Sequence, residues 1–160
     1  MLFRSLSGIM RINSGFPVSL HSDGDNSLMG SNPNGVNNYS LDLPDYNGLP
    51  LSINKNAGRN GLPYFNINAF SLNALGTPGD ASRRSFIGPG EINFDLALLK
   101  TIKFTESRIL QIRLEAFNAF NHANFFGPLA VNGDISSNLF GQVVNAAPPR
   151  EVQIALKFLF

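Results

Sequence analysis

From Glu151 to the chain end, apolar and polar side chains alternate. Val152, Ile154, Leu156, Phe158 and Phe160 take one parity, and Glu151, Gln153, Ala155, Lys157 and Leu159 the other. A period of two is the signature of a strand with unlike faces. The run EINFDLALLKTIKF repeats it, with Ile92, Phe94, Leu96, Leu98, Ile102 and Phe104 opposing Glu91, Asn93, Asp95, Ala97, Thr101 and Lys103. Only Leu99 and Lys100 interrupt the alternation. In RILQIRLEAF, Leu110, Ile112, Leu114 and Ala116 oppose Gln111, Arg113 and Glu115. A helix can also be drawn through Ile109, Ile112, Ala116, Phe117 and Phe120, but the β-branched content and alternating neighbours favour a strand. The first residues are a weaker case, with Leu2, Leu6, Met10 and Ile12 against Ser5, Ser7, Arg11 and Asn13. The pattern predicts four long antiparallel strands near 2–14, 91–104, 108–121 and 150–160.

The connections between these strands are very unequal. Thr105 to Ser107 suffices only for a tight turn, whereas 16–90 and 121–150 are long segments rich in Asn, Gly and Pro. Connections beyond ~12–15 residues are uncommon in compact soluble domains, but transmembrane β-barrels pair long extracellular loops with short periplasmic turns. With Phe160 on the periplasmic side, strand parity puts the short turn on that side too and both long loops outside. About ten residues tilted ~45° cover roughly 23 Å, close to the ~25 Å apolar band of such barrels. A soluble two-sheet sandwich would also alternate. Asn93, Asp95, Gln111, Arg113, Glu115, Gln153 and Lys157 suit a hydrated lumen better. The expected fold is therefore all-β: a fragment of an antiparallel transmembrane barrel, not closed by itself, with 16–90 and 121–150 as extracellular loops.

Composition sharpens this picture. Charged residues are only 14% of the 160, while 15 Gly and 10 Pro supply turns, as expected of strands joined by long loops. A net charge of +1 provides no basic field, so nucleic acid is not an expected partner. There is no cysteine, hence no disulfide framework or thiolate metal site. No run of ~20 mainly apolar residues offers a membrane-spanning helix. The first ten residues contain no apolar core of a secretory signal. Phe104, Phe117, Phe120, Phe158 and Phe160 fall near strand ends, where an interfacial aromatic girdle would lie, although 14 Phe without Trp make an unusual one.

The terminal EVQIALKFLF resembles the C-terminal β-signal of outer-membrane proteins. The ordered set SGFP (Ser14 to Pro17), FNINAF (Phe65 to Phe70), GPG (Gly88 to Gly90), NFDLALLK, LQIRLEAFNAFNHANF (Leu110 to Phe125), FGQV (Phe140 to Val143) and PREVQIALKFLF resembles the end of the Oar-like TonB-dependent receptors. One departure precedes the GPG, where GDASRRS, with Asp80, Ser82 and Arg84, stands in place of a GNAGRN-like segment. The resemblance implies that 1–160 is the C-terminal fragment of a receptor barrel of about twenty-two strands, preceded by a plug domain. It further implies outer-membrane lipid as surroundings and the barrel-assembly machinery as a partner that reads Val152, Ile154, Leu156, Phe158 and Phe160. The TonB complex would act through the missing N-terminal part.

Candidate chemistry is sparse, and neither an enzyme nor a cofactor is expected. His21 and His122 lie in predicted loops without metal-ligand spacing. DGDN (Asp23 to Asn26) lacks the spaced ligands of a calcium loop, and GRNG (Gly58 to Gly61) and GPG lack the strand-to-helix context of a phosphate cradle. All three read as turns. Asp95 and Glu115 are a carboxylate pair on neighbouring strands, but Arg113, Lys103 and Lys157 on the polar faces make ion pairing their expected role. The reading is a segment of an energy-coupled receptor for an unknown ligand. A soluble all-β module binding carbohydrate or peptide, and a structural or adhesive surface barrel, are the alternatives.

Overall fold

The computed structural model describes residues 2–29, 42–82 and 84–160. Residues 30–41 of the expected 16–90 loop thus lie outside the described residues. Four long strands form: β1 (Leu2–Asn13), β4 (Glu91–Lys103), β5 (Ile109–Phe117) and β6 (Glu151–Leu159), paired antiparallel in the order β1-β4-β5-β6. The remaining elements among the described residues are small. They are a two-residue pair, β2 (Asp45–Tyr46) with β3 (Phe70–Ser71), a four-residue helix α1 (Ala57–Asn60), and a 3-10 turn at Ile67–Ala69.

Register decides which residues share a face, because directly opposed residues of antiparallel strands point the same way. Leu6 faces Leu98, which faces Leu114, which faces Ile154; Ile102 faces Leu110, which faces Phe158. All even-numbered strand positions therefore lie on one side, so Ile92, Phe94, Leu96, Ile112 and Leu156 join them. These side chains are not covered by a second sheet, as a soluble sandwich requires: Leu6 is 74% exposed and Ile154 71%. An apolar face of this extent left open is the mark of a surface that meets lipid.

β5 ends at Phe117, not near 121, for a local reason. Asn118 adopts φ 48°, in the left-handed region, and so does Asn121 at 52°. Asn tolerates that conformation better than most residues, and one such residue breaks strand geometry. The tight turn behaves as expected. Phe104 and Thr105 both donate their N–H to the Arg108 carbonyl, and Thr105 Oγ1 accepts from the Arg108 N–H at 3.1 Å.

The chain divides into two compact units: the strand unit (1–13, 91–124 and 147–160) and a loop unit (14–90 and 125–146). Long loops that fold need their own apolar core, and here they have one. Phe65 lies at its centre, with ring centroids 4.6 Å from Phe86, 5.2 Å from Phe140 and 5.7 Å from Phe70. Val18, Leu20, Ala57, Tyr64, Ala69, Ala81 and Val131 pack with them. The short motifs of the sequence build this unit. SGFP and GPG interlock, since Gly88 N–H donates to Phe16 O at 2.8 Å and a Cβ on Gly15 would lie 1.9 Å from Gly88 O. FGQV anchors the segment before FNINAF, because the Gly141 carbonyl accepts from Tyr64 N–H at 2.7 Å. FGQV also pairs with 130–132 through the bridge of Val131 to Val143, with Asn132 N–H donating to Gln142 O and Val144 N–H to Ala130 O, both at 2.9 Å. In the divergent GDASRRS segment, Asp80 Oδ1 accepts from Tyr46 N–H at 2.7 Å.

A buried carboxylate ties the start of the loop unit together. The side chain of Asp42 accepts from Ser27 N–H at 3.0 Å and from Asn73 Nδ2, while its carbonyl accepts from Ser22 N–H. Burial alone would push its carboxyl up, but the hydrogen bonds from Ser27, Asn73 and Asn26 outweigh it and hold the group below the usual carboxylate range. A depressed folded value contributes stability that is present above the unfolded value of 3.8 and lost as pH falls through the lower folded one. Denaturation of the loop unit followed against pH should therefore show stability lost as pH falls through that window. Asp42→Asn should be less stable at neutral pH and lack that acid-side loss.

Candidate functional site

The odd-numbered face of the sheet carries the polar residues. Ser5, Ser7, Ala97, Leu99, Gln111, Arg113, Ala155 and Lys157 line an open trough of about 380 Å³ that crosses all four strands. Small side chains in its middle leave the space, and Gln111, Arg113 and Lys157 supply polar and charged groups along it. A polar trough on one side and an open apolar face on the other is the arrangement of a barrel wall, with the trough toward the lumen. Leu99, the sequence irregularity, sits in this trough opposite Ser5 and Arg113.

The two carboxylates that invited an acid/base reading are each engaged. Asp95 accepts from Arg11 at 3.4 Å, from Asn93 Nδ2 at 2.9 Å and from Asn118 N–H at 3.0 Å. Glu115 pairs with Arg113 at 2.9 Å and accepts from Gln153 across the β5–β6 ladder. Glu91 takes Asn13 Nδ2 at 2.9 Å, with Arg11 3.9 Å away. Arg113 therefore pairs within its own strand. Lys103 and Lys157, expected in cross-strand pairs, have no carboxylate within 4.0 Å among the described residues. Partly exposed pairs of this kind are worth only ~0.2–1 kcal/mol each, so they set the charge pattern of the lumen more than its stability.

Where the strands leave the sheet, the segment FNAFNHANF folds into a polar latch. Asn118 and Asn124 are buried. Asn118 Nδ2 donates to His122 O at 3.0 Å, and its Oδ1 accepts from His122 N–H at 2.9 Å. Asn124 Oδ1 accepts from Ile92 N–H at 3.0 Å and lies 2.9 Å from His122 Nδ1, while Asn124 O accepts from Ala147 N–H. Asn121 Oδ1 accepts from Arg150 N–H, just before β6. Phe94 and Phe120 meet edge to face at 5.1 Å. The latch thus joins the ends of β4, β5 and β6, and it gives His122 a structural place.

His21 has different surroundings in the loop unit. Its N–H donates to Gly133 O at 3.0 Å and its carbonyl accepts from Ile135 N–H at 2.9 Å. The close approach needs glycine, since a Cβ on Gly133 would stand 1.9 Å from Ser19 O. Asp134 is thereby set beside His21, and ligand atoms of His21, Asp23 and Asp134 all lie within 4.8 Å of one another. Three N/O donors can contact a divalent cation, one fewer than the four of a structural zinc site. Sequence spacing could not reveal this trio, because His21 and Asp134 meet only through the fold. The neighbouring surface is an open cleft of about 660 Å³ whose walls include Phe16, His21, Leu129, Val131 and Asp134. Of the remaining motifs, DGDN forms a turn in which Leu28 N–H donates to Asp25 O. GRNG is the end of α1, closed by Gly61 in the left-handed region at φ 69°.

The latch yields a direct test. Asn118→Ala leaves buried partners unpaired and forces a left-handed alanine, so it should cost about 2–4 kcal/mol. Asn118→Gly keeps the backbone freedom and should recover about 1 kcal/mol of that loss. Urea titration of the heat-modifiable electrophoretic band, which reports the folded barrel, measures both.

Comparison with known proteins agrees with this geometry. Residues 5–153 match the family described as an outer membrane beta barrel domain. No curated protein and no solved structure matches the chain. With nearly its whole length matched, this chain belongs to the outer membrane beta barrel domain family and is a protein of the outer membrane.

Proposed function

We propose that this barrel segment belongs to a TonB-dependent receptor of the Oar-like kind, which takes up a ligand across the outer membrane at the expense of energy from the inner membrane. The observation that carries the reading is the ordered set of motifs, each with a structural task that a receptor barrel needs. NFDLALLK and PREVQIALKFLF supply wall strands, FNAFNHANF supplies the latch, and SGFP, FNINAF, GPG and FGQV build a loop unit with its own core. A folded loop unit bearing an open cleft suits ligand capture. In this reading Asp95 and Glu115 serve the lumen wall and catalyse nothing.

An adhesive surface barrel would use the same wall and loops without energy coupling. The periplasmic domain of TonB distinguishes the two. The full-length protein, solubilised from the outer membrane, should retain that domain in a cross-linking assay, and deletion of a TonB-box segment should abolish the cross-link. Failure of the intact protein to bind it would favour the adhesive barrel.

The same proposal makes the barrel-assembly machinery a partner of β6. Val152, Ile154, Leu156 and Phe158 share the lipid-side parity, and Phe160 follows the strand, 95% exposed, with its ring 6.2 Å from that of Phe158. Recognition of a strand edge uses main-chain hydrogen bonds for affinity and alternate side chains for register. Deleting Phe160 should lower the amount of folded protein in the outer membrane severalfold, read by surface labelling. Binding of TonB by the molecules that do assemble should be unchanged.

A further inference from the structure

Two cations break the apolar face. Arg4 and Lys100 have the even parity of the lipid side and stand directly opposite each other in the β1–β4 ladder, with Ile112 next to Lys100 and Leu156 beyond it. Among the described residues neither has a carboxylate within 4.0 Å. Like charges directly opposed on a sheet repel, and charge toward hydrocarbon costs more the deeper it lies. An anion shared by the two would relieve both the repulsion and the cost of burial.

Depth identifies the anion. Outer-membrane barrels turn tightly on the periplasmic side, which assigns the Phe104–Arg108 turn to that end, and Phe158 lies in the outermost row of the face with Ile102 and Leu110. Arg4 and Lys100 occupy the next row inward. Lys100 is three positions before the end of β4 at Lys103, which at ~3.4 Å per residue and ~45° tilt is roughly 7 Å. Both side chains are long enough to reach back from there to the headgroup level along the apolar surface. Directly opposed Cα atoms are ~4.5–5.5 Å apart, so both charged ends can meet one phosphate.

We propose that Arg4 and Lys100 clamp the phosphate of an anionic phospholipid of the periplasmic leaflet, one acyl chain lying on Leu6, Leu98, Ile112 and Leu156. The ligand is the lipid, because the apolar floor beside the cations offers nothing to a free phosphate. The site requires only the outer-membrane location of the barrel and no transport.

The test uses the full-length protein in nanodiscs of phosphatidylcholine with and without phosphatidylglycerol, released intact into native mass spectrometry. Wild type should retain one phosphatidylglycerol more than Arg4→Gln/Lys100→Gln, with affinity on the order of tenfold weaker in the variant. Arg4→Lys should keep the lipid. Lys100→Glu, which gives Arg4 an internal partner, should fold as well as wild type by heat-modifiable mobility and yet lose the lipid, so loss of binding cannot be ascribed to misfolding. Equal retention by wild type and Lys100→Glu would overturn the proposal. So would displacement of the lipid by inorganic phosphate at matched concentration.

Discussion

Hydrocarbon offers no hydrogen-bond partner, so each backbone N–H and C=O within it must be paired by the protein itself. The antiparallel ladder meets this requirement from Leu2 to Leu159 through one continuous order of strands, and the rest of the structure follows from it. Pairing by opposed residues forces every even position to one side and every odd one to the other. The open apolar face and the polar trough are two consequences of one register. The same requirement explains why four strands are an arc and not a finished wall, since the outer edges of β1 and β6 still need strands beside them.

Leaving the membrane removes that constraint, and the chain changes its means of satisfying polar groups at once. Within the sheet the backbone pairs with backbone. At the ends of β4 and β5 the side chains of Asn118, Asn121 and Asn124 take over, meeting backbone groups of His122, Arg150 and Ile92. Beyond the latch, an aromatic cluster around Phe65 provides the burial that long connections usually lack. Asparagine is abundant because its amide is both donor and acceptor, and because it tolerates the left-handed backbone that ends a strand. Low charge content has a related origin, as lipid-facing positions exclude charge and loop turns are made by Asn, Gly and Pro.

The two irregularities of β4 show how a single register sorts exceptions. Leu99 falls in the lumen trough, where an aliphatic side chain among Ser5 and Arg113 costs little. Lys100 falls on the lipid side beside Arg4, with no carboxylate within 4.0 Å among the described residues. The same local defect in alternation thus has a neutral outcome on one face and a binding consequence on the other.

Much of the strand unit was legible in the chain itself. Period-two alternation depends only on the geometry of an extended backbone, so the four strands, their faces and the short turn follow from residue order, with boundaries shifted by a few positions. The end of β5 was not legible, because Asn118 stops the strand by a backbone conformation that leaves no hydropathy signal. The pairing order, and with it the meeting of Arg4 with Lys100, comes from contacts between segments far apart in the chain. The loop unit is the clearest case. Its core joins Val18, Phe65, Phe86 and Phe140, and its glycine contacts bring His21 beside Asp134. No periodicity records such neighbours, since non-local packing is decided by which surfaces fit once the chain has folded back on itself, and only the tertiary structure expresses that choice.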